Sequence, residues 1–565
     1  MSLPSLPVRR RAVLATGTAG AGAAALAGAA PAPAEAAGRR FFQHGVAAGD
    51  PLPHRVVIWT RVTPTAASRP GSGEGPRVEV TWEVARDRRF RRIVRRGSVT
   101  TGPGRDHTVK VDVGRLSAAT WYFYRFRYRG TSSRVGRLRT APATRSLPGH
   151  LRFGVVSCAN LQAGWFSAYR GLARRDDLHA VIHLGDYLYE YAPGAYGAGS
   201  DDTDVRRHEP AREIVSLADY RQRHAQYKRD PDLQDLHAKY PFIVTWDDHE
   251  VANDQWSAGA ENHDAGEGGF ARRRARAHRA YDEWMPVRLD GTARLGDGDR
   301  LFRRLRFGRL AEISMLDLRT HRSRQVSTAL PFPAPAAEAA ISDPDRTIVG
   351  RQQMRWLKDS LSRRGAQWKI VGNPVMIAPL GLQGLPDEVL RPVNNVLEVL
   401  PDDGFPLNVD AWDGYTDDRR ELFAHIRDRG IGDTVFITGD IHGAWACDLP
   451  YDASTYPVVD GSAGVEFVCT SVTSNNLKDQ LGTPPRSPAS LAVERVILAN
   501  NRHIKYLNFD DHGFSVLDIT PARTQMDWFV IGDRRDRRTR ISHTASWQTR
   551  AGTAKVTPVD RPVGR

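Results

Sequence analysis

Four short runs and one arginine carry the side chains that could do chemistry. In Gly185-Asp186-Tyr187-Leu188-Tyr189 an aspartate is followed three residues later by a tyrosine. Both can face one point. A carboxylate has two oxygens and can bridge two cations, and a phenolate suits a hard trivalent ion such as Fe(III). Gly439-Asp440-Ile441-His442-Gly443 places a carboxylate and an imidazole two residues apart on one extended turn. Its glycines permit a tight backbone. In Trp246-Asp247-Asp248-His249-Glu250-Val251-Ala252-Asn253-Asp254, five of nine residues are acidic or histidine. Carboxylate and amide oxygens suit Ca2+ or Mg2+. An acidic helix N-terminus would explain one or two of these acids. It would not explain Asp247 to Glu250 together with Asn253. Cys158, in Ser157-Cys158-Ala159-Asn160, offers a soft thiolate that suits iron or zinc better than calcium. Taken alone, such a cysteine is more often a small buried hydrophobe. Arg319, in Leu316-Asp317-Leu318-Arg319-Thr320-His321-Arg322, could grip a phosphate bidentately. It does so against a background of 72 arginines, which makes a plain surface arginine the strong alternative.

These runs sit where buried strands end. Phe153 to Cys158, Ala180 to Asp186, Phe242 to Asp248, Trp368 to Asn373 and Thr434 to Asp440 are apolar stretches closing on Cys, Asp, Asp, Asn and Asp. Strands buried on both faces read as continuous apolar runs, and α/β sites gather at strand carboxyl ends. The expected class from about residue 150 is therefore α/β. Residues 41–144 differ. Runs such as Val78 to Val84, Val109 to Val113 and Trp121 to Tyr128 tend to alternate, separated by Pro70-Gly71-Ser72-Gly73 and Gly102-Pro103-Gly104. That pattern predicts a small all-β sandwich of the immunoglobulin or fibronectin kind. The expected organisation is an export segment at 1–36, a sandwich at 41–144, a catalytic domain at 150–545 and a tail at 546–565. Segments 194–212, 257–270 and 328–346 read as loops.

The chain has 565 residues, with 80 Lys+Arg against 65 Asp+Glu, a formal charge of +15, and 41% hydrophobic residues. These values exclude a disordered chain, a collagen-like fibre and a polytopic membrane protein. Three cysteines cannot build a disulfide framework. Arg9-Arg10-Arg11 precedes a mildly apolar Gly/Ala stretch and an Ala34-Glu35-Ala36 cleavage box. This resembles a twin-arginine signal, which exports folded proteins through the Tat translocase. No further run of about 20 apolar residues follows, so no transmembrane span is expected.

The order Ser157-Cys158, Gly185-Asp186-x-x-Tyr189, Trp246-Asp247-Asp248-His249-Glu250-x-x-Asn253, Gly372-Asn373-x-x-Met376 and Gly439-Asp440-Ile441-His442 resembles the PhoD-like alkaline phosphatase/phosphodiesterase family. That family is a branch of the metallophosphatases. The resemblance spans nearly the whole chain and includes Phe42-Gln43-His44-Gly45-Val46-Ala47-Ala48-Gly49-Asp50-Pro51. It implies a metallophosphatase-type αββα sandwich and a site with Fe(III) and Ca2+. By position, Cys158, Asp186, Tyr189 and His442 match the iron ligands, with Asp186 bridging. Asn253 and Asp440 match calcium ligands, with Asp247 and Asp248 beside them. Asn373-Pro374 departs from the more polar pair expected there. The chemistry implied is in-line attack on a phosphate ester by a hydroxide or oxide held on the metals. Asp186, His442, Arg319 and His249 are the expected catalytic residues, His249 as proton donor to the leaving group.

Neither a Gly-x-Ser-x-Gly elbow nor a Walker loop is present, which disfavours a serine hydrolase or a nucleotide-dependent kinase. Two alternatives stand beside the phosphatase reading. One is a phospholipase D-type phosphodiesterase. The other is a secreted polyanion-binding protein, suggested by the net charge. Against the latter, basic residues are spread along the chain. Arg272-Arg273-Arg274 and Arg534-Arg535 with Arg537-Arg538 read as solvated faces. No specific nucleic-acid partner is expected, and the chain is expected to be a monomer. Cys447 and Cys469 read as structural, with Cys447 close enough to the Gly-Asp-Ile-His turn to support the site from behind.

Overall fold

A computed structural model describes residues 40–196, 205–289, 300–326, 340–382, 405–406, 408–453, 455–459 and 461–564. The export segment and most of the 328–346 loop lie outside the described residues.

The strands, in chain order, are β1 (Val46–Gly49), β2 (Val56–Arg61), β3 (Val78–Ala85), β4 (Ile93–Thr101), β5 (Thr108–Val113), β6 (Trp121–Tyr128), β7 (Thr131–Ser132) and β8 (Gly136–Arg139). There follow β9 (Leu151–Val156), β10 (Ala180–His183), β11 (Pro241–Val244), β12 (Arg303–Phe307), β13 (Ala311–Met315), β14 (Trp368–Asn373), β15 (Gly381–Leu382) and β16 (Phe405–Pro406). The last are β17 (Thr434–Thr438), β18 (Ala444–Pro450), β19 (Ser462–Val468), β20 (Ile504–Asn508), β21 (Gly513–Ile519), β22 (Arg523–Ile531), β23 (Ile541–Arg550) and β24 (Val556–Pro558). The helices that matter here are α1 (Ser167–Arg174), α2 (Leu217–Tyr227), α3 (Pro231–Lys239), α4 (Phe270–Trp284), α5 (Arg351–Ser362), α6 (Thr416–Asp428), α7 (Leu477–Leu481) and α8 (Pro488–Asn500).

Two large sheets face each other. One has ten strands in the order β24-β23-β22-β21-β9-β10-β11-β1-β2-β5. The other has seven, β12-β13-β14-β17-β19-β18-β20. The strands β9, β10 and β11 run parallel, as do β13, β14, β17 and β19. Alternation splits each apolar run between two layers. Val155, Ile182, Ile370 and Ile437 point into the core between the sheets, with Phe153, Met315, Phe467 and Trp528. Their neighbours Val156 and Val181 pack outward under α1 to α4, against Tyr169, Leu172, Tyr220, Leu236 and Tyr281. Val371 and Phe436 pack outward against Leu357 and Leu361 of α5 and Leu422 and Ile426 of α6. The order is helices, sheet, sheet, helices: the expected αββα sandwich. Helix starts follow local chemistry. Ser216 and Asp219 form a reciprocal capping box on α2, and Asp230 accepts from Leu233 N–H at 2.9 Å ahead of Pro231 on α3.

The amino-terminal region is all-β. A sheet ordered β4-β3-β6-β7, with β8 on β6, packs Val80, Val84, Tyr122, Tyr124 and Phe126 against Val56, Ile58 and Val109 of β2 and β5. The second face of this sandwich is not separate. β1 pairs in parallel with β11, Ala48 opposite Pro241, so β1, β2 and β5 continue the ten-stranded sheet. At the other end, residues 546–565, set apart as a tail on sequence grounds, supply the outer half of β23 and the edge strand β24. Val556 packs its side chain into the inter-sheet core there. Among the described residues, no helix is long and apolar enough to cross a membrane.

Candidate metal centre

Parallel strands of both sheets release their loops at one rim. Cys158 follows β9, Asp186 follows β10, and Asp247 and Asp248 follow β11. From the second sheet, Arg319 follows β13, Asp440 and His442 follow β17, and a Ser471–Asn475 loop follows β19. A bridge between Ser157 and Ser471 ties the two rims. The backbone is unusual here. Cys158 (φ +57°), Asp186 (+53°), Asp254 (+53°), Asp440 (+64°) and His442 (+56°) are all left-handed. Such conformations are uncommon for non-glycine residues and cluster at functional sites. Gly185 is needed for the same turn. Its φ is +113°, and a Cβ there would lie 2.5 Å from Asp247 Cβ.

Three overlapping sets of donor atoms result, each within 4.8 Å: Cys158, Asp186 and His442; Asp186, Asp248 and His249; and Asp247, Asp248 and Asp440. Asp186 joins the first two sets and Asp248 the last two. Tyr189 O–H donates to Asp186 Oδ2 at 2.8 Å, and Ser474 Oγ donates to the Tyr189 hydroxyl at 2.6 Å. Asp186 Oδ1 is buried with no partner. His442 Nδ1 lies 2.6 Å from Asn475 O, so the proton sits on Nδ1 and Nε2 keeps its lone pair. Burial holds this imidazole down at about 4, neutral and fit to ligate. Burial pushes the Cys158 thiol and the Tyr189 phenol up, and the Asp186 carboxylate adds to both. Burial likewise raises Asp186 and Asp440. Such donors release their protons only to a strong countercharge. The orphaned Asp186 Oδ1 and the thiol, phenol, imidazole and carboxylate donors therefore fit a cluster of cations.

Glu190 ties His249, a member of the second donor set, to Asn253. His249 Nδ1 is 2.8 Å from Glu190 Oε2, and its ring lies against Tyr189 with centroids 4.1 Å apart. Burial opposes a charged His249, but Asp248, Glu190 and Asp186 raise it well above its usual value. Asn253 N–H donates to Glu190 Oε1 at 2.7 Å and its Nδ2 to Glu261 at 3.1 Å. That leaves the amide oxygen as the group a cation would take.

Arg319 meets the carboxylates of the rim. It is fully buried. Nε and Nη2 donate to Asp247 at 2.5 and 3.1 Å, Nη1 donates to Asp410 at 2.9 Å, and Nη2 reaches Asp440 at 3.4 Å. Expected to grip phosphate, the guanidinium is here paired with carboxylates of the chain itself. Asn373 is also a brace: its Nδ2 donates to Thr438 Oγ1 at 3.1 Å and its Oδ1 accepts from Trp412 Nε1 at 3.1 Å. The cysteine behind the site is Cys469 rather than Cys447. Cys469 Sγ is 3.4 Å from Ser157 Oγ, which accepts from Cys158 at 3.2 Å. Cys447 lies in β18, in the outer core.

Several site residues escaped the sequence reading. Glu250 accepts from the N–H groups of Asp186, Tyr187 and Asp247 at 3.1, 2.6 and 2.8 Å, tying two strand-end loops together. Glu190, next to Tyr189, was findable by position. Asp410, Ser474, Asn475 and Arg534 come from remote loops with no local signal.

A four-layered sandwich gathers thiol, phenol, imidazole and carboxylate donors at one rim, and its matches define its class as a phosphatase, a hydrolase of phosphoric esters. The family model described as PhoD-like phosphatase matches residues 153–528, and that described as PhoD-like phosphatase, N-terminal domain, matches residues 27–142. The chain is 34% identical over 490 residues to alkaline phosphatase D of Bacillus subtilis (strain 168), covering 87% of this chain and 77% of that one. It matches a solved structure of PhoD with a TM-score of 0.80 and 32% identity, over 94% of each chain. The chain belongs to the PhoD-like phosphatase family.

Proposed function

We propose that the protein is an exported phosphatase/phosphodiesterase that holds Fe(III) and Ca2+ at this rim. In this reading Cys158, Asp186, Tyr189 and His442 hold the iron. Asn253 and Asp440, with Asp247 and Asp248, would hold calcium, and Asp186, common to two donor sets, would serve both sites. The observation that carries it is the Asp186 carboxylate: it belongs to two donor sets and one of its oxygens is buried without a partner. When bound, the cations supply Lewis acidity that neutralises phosphate charge and acidifies water.

The chain's own residues do the rest. Asn475 fixes the His442 tautomer. Glu190 holds His249 Nδ1 and so orients the ring, and His249 is the residue placed to pass a proton to the leaving oxygen. Arg319 balances the carboxylates of the rim and reaches a substrate phosphate only by releasing one of them. The twin-arginine segment at 1–36 supports export of the folded, metal-loaded chain. A monomer with a sandwich at 41–144 and a catalytic unit from 150 fits this reading.

The test is metal analysis of the purified protein with turnover of p-nitrophenyl phosphate, bis-p-nitrophenyl phosphate and a choline phospholipid, each with calcium or chelator. Stoichiometric iron, a visible tyrosinate–Fe(III) band and calcium-dependent turnover are expected. Full activity in a preparation free of iron would overturn the assignment.

A further inference from the structure

Arg534 follows β22, near the end of the chain, in a run of arginines that looks solvated in sequence. It is 4% exposed. Its fork closes on the loop after β19. Nη1 donates to Thr473 O, and Nη2 donates to Asn475 Oδ1 at 2.8 Å. Asn475 is the residue whose backbone carbonyl receives His442 Nδ1–H. The same Nη1 pairs with Asp479 Oδ2 at 3.2 Å, and Asp479 lies 2.9 Å from His512 Nε2. His512 Nδ1 then meets Ser471 Oγ at 2.9 Å. Ser, His and Asp in this order look like a hydrolytic triad. However, the Ser471 hydroxyl donates to Ser474 O at 2.8 Å, and Ser471 and His512 are buried. The three form a truss and present no nucleophile.

The truss controls the loop from both ends. Inside the loop, Ser474 Oγ reaches the Tyr189 hydroxyl at 2.6 Å and Cys158 O at 2.9 Å. One short loop therefore touches three of the four iron-site residues. The backbone of Arg534 is itself pinned. Trp165 N–H donates to Arg534 O at 2.8 Å, and a Cβ on Gly164 would lie 2.7 Å from that oxygen. A guanidinium pre-set in this way loses little freedom on making its fork.

We propose that Arg534 is a positioning residue for the metal centre. Through Asn475 it fixes the carbonyl that holds His442 with its proton on Nδ1 and Nε2 toward the donor cluster. Partners of this kind tune metal affinity by about 10–100-fold. Because Arg534 lies some 375 residues after Cys158, the centre is complete only once the carboxyl-terminal strands are in place. The proposal rests on His442 being an iron ligand.

The experiment uses the full-length protein with iron supplied during expression. Variants Arg534→Ala, Asn475→Ala and His442→Ala are compared for iron per chain, the visible tyrosinate band and circular dichroism. Asn475→Ala keeps the backbone carbonyl but removes the acceptor of Arg534 Nη2, the arm that reaches residue 475. Arg534→Ala is expected to stay folded, to bind iron about tenfold more weakly, and to lose the single Nδ1–H tautomer of His442 in 15N NMR of the metal-free protein. Asn475→Ala should move the same way. If His442→Ala keeps its iron, the ligand reading fails and the proposal with it. If His442→Ala loses iron while Arg534→Ala holds it within twofold of wild type, the ligand reading stands and the role of Arg534 is overturned. Should Arg534→Ala not fold, Asn475→Ala decides: weakened iron supports the proposal and wild-type iron overturns it.

Discussion

The Tyr189 hydroxyl donates to Asp186 Oδ2 at 2.8 Å, while Asp186 Oδ1, on the same buried carboxylate, has no partner. One oxygen is held by a neighbour that can itself ligate; the other is left free for a cation. Asp186→Ala should therefore remove activity on p-nitrophenyl phosphate by more than about a thousandfold and empty the centre of iron. Near-normal turnover with a fully loaded centre would show that Asp186 is not the bridge.

Arg319 counterbalances a rim of carboxylates from a fully buried position. Removing one partner of a buried ionic network costs about 3–5 kcal/mol. Arg319→Met should show a loss of that size in urea unfolding of the metal-free protein. Saturating calcium should recover much of it, because a cation replaces the missing charge. An equal deficit with and without calcium would separate Arg319 from the cation site.

Gly185 turns the chain into Asp186 where a Cβ would strike Asp247. Gly185→Ala should cost about 1–3 kcal/mol from crowding, beyond any backbone strain, and displace Asp247, with activity falling alongside. Gly430→Ala is the control: its φ is +58° but nothing lies within 4 Å of the added carbon. Melting temperatures and turnover of the two variants should diverge. Matching behaviour would leave only backbone strain as the cause.

Far from the rim, His179 accepts from Arg152 N–H at 3.1 Å through Nδ1, and burial holds its pKa down at about 3. In the unfolded chain histidine titrates near 6.5. The folded value is the lower one, so the unfolded state takes up the proton first and stability is lost as pH falls below 6.5. Between pH 7.5 and 5.5 this amounts to about 1.4 kcal/mol. The stability advantage of wild type over His179→Asn, from urea unfolding at the two pH values, should shrink by that amount. A constant or growing advantage would show that His179 is protonated in the fold.

What could be read from the chain followed strand ends. Cys158, Asp186, Asp247 and Asp440 were visible because each closes an apolar run, and the fold brings those ends to one rim. Glu250 stood in plain view within an acidic run, but its role is to gather backbone N–H groups from another loop, which no spacing reveals. Arg534 was hidden differently. Its neighbours Arg535, Arg537 and Arg538 are exposed, and nothing local separates it from them. Arg319 stands out in sequence by its place after an apolar run, but its pairing with the carboxylates of Asp247, Asp410 and Asp440, on three other loops, has no local signal. Sequence suggested an anion, and the structure supplies carboxylates of the chain itself. The sandwich strands were legible from alternation, whereas the pairing of Ala48 with Pro241 joins residues 193 positions apart and has no periodic signature.

That pairing has a consequence for anyone wishing to work with the catalytic half alone. Cutting the chain after the sandwich would strip β1 from β11 and leave the backbone N–H and C=O groups of a central, hydrophobic strand open along one side. An uncovered edge of that kind recruits other chains. The amino-terminal region thus doubles as a built-in guard against self-association, and a shortened enzyme would need a substitute for it before it could be handled in solution.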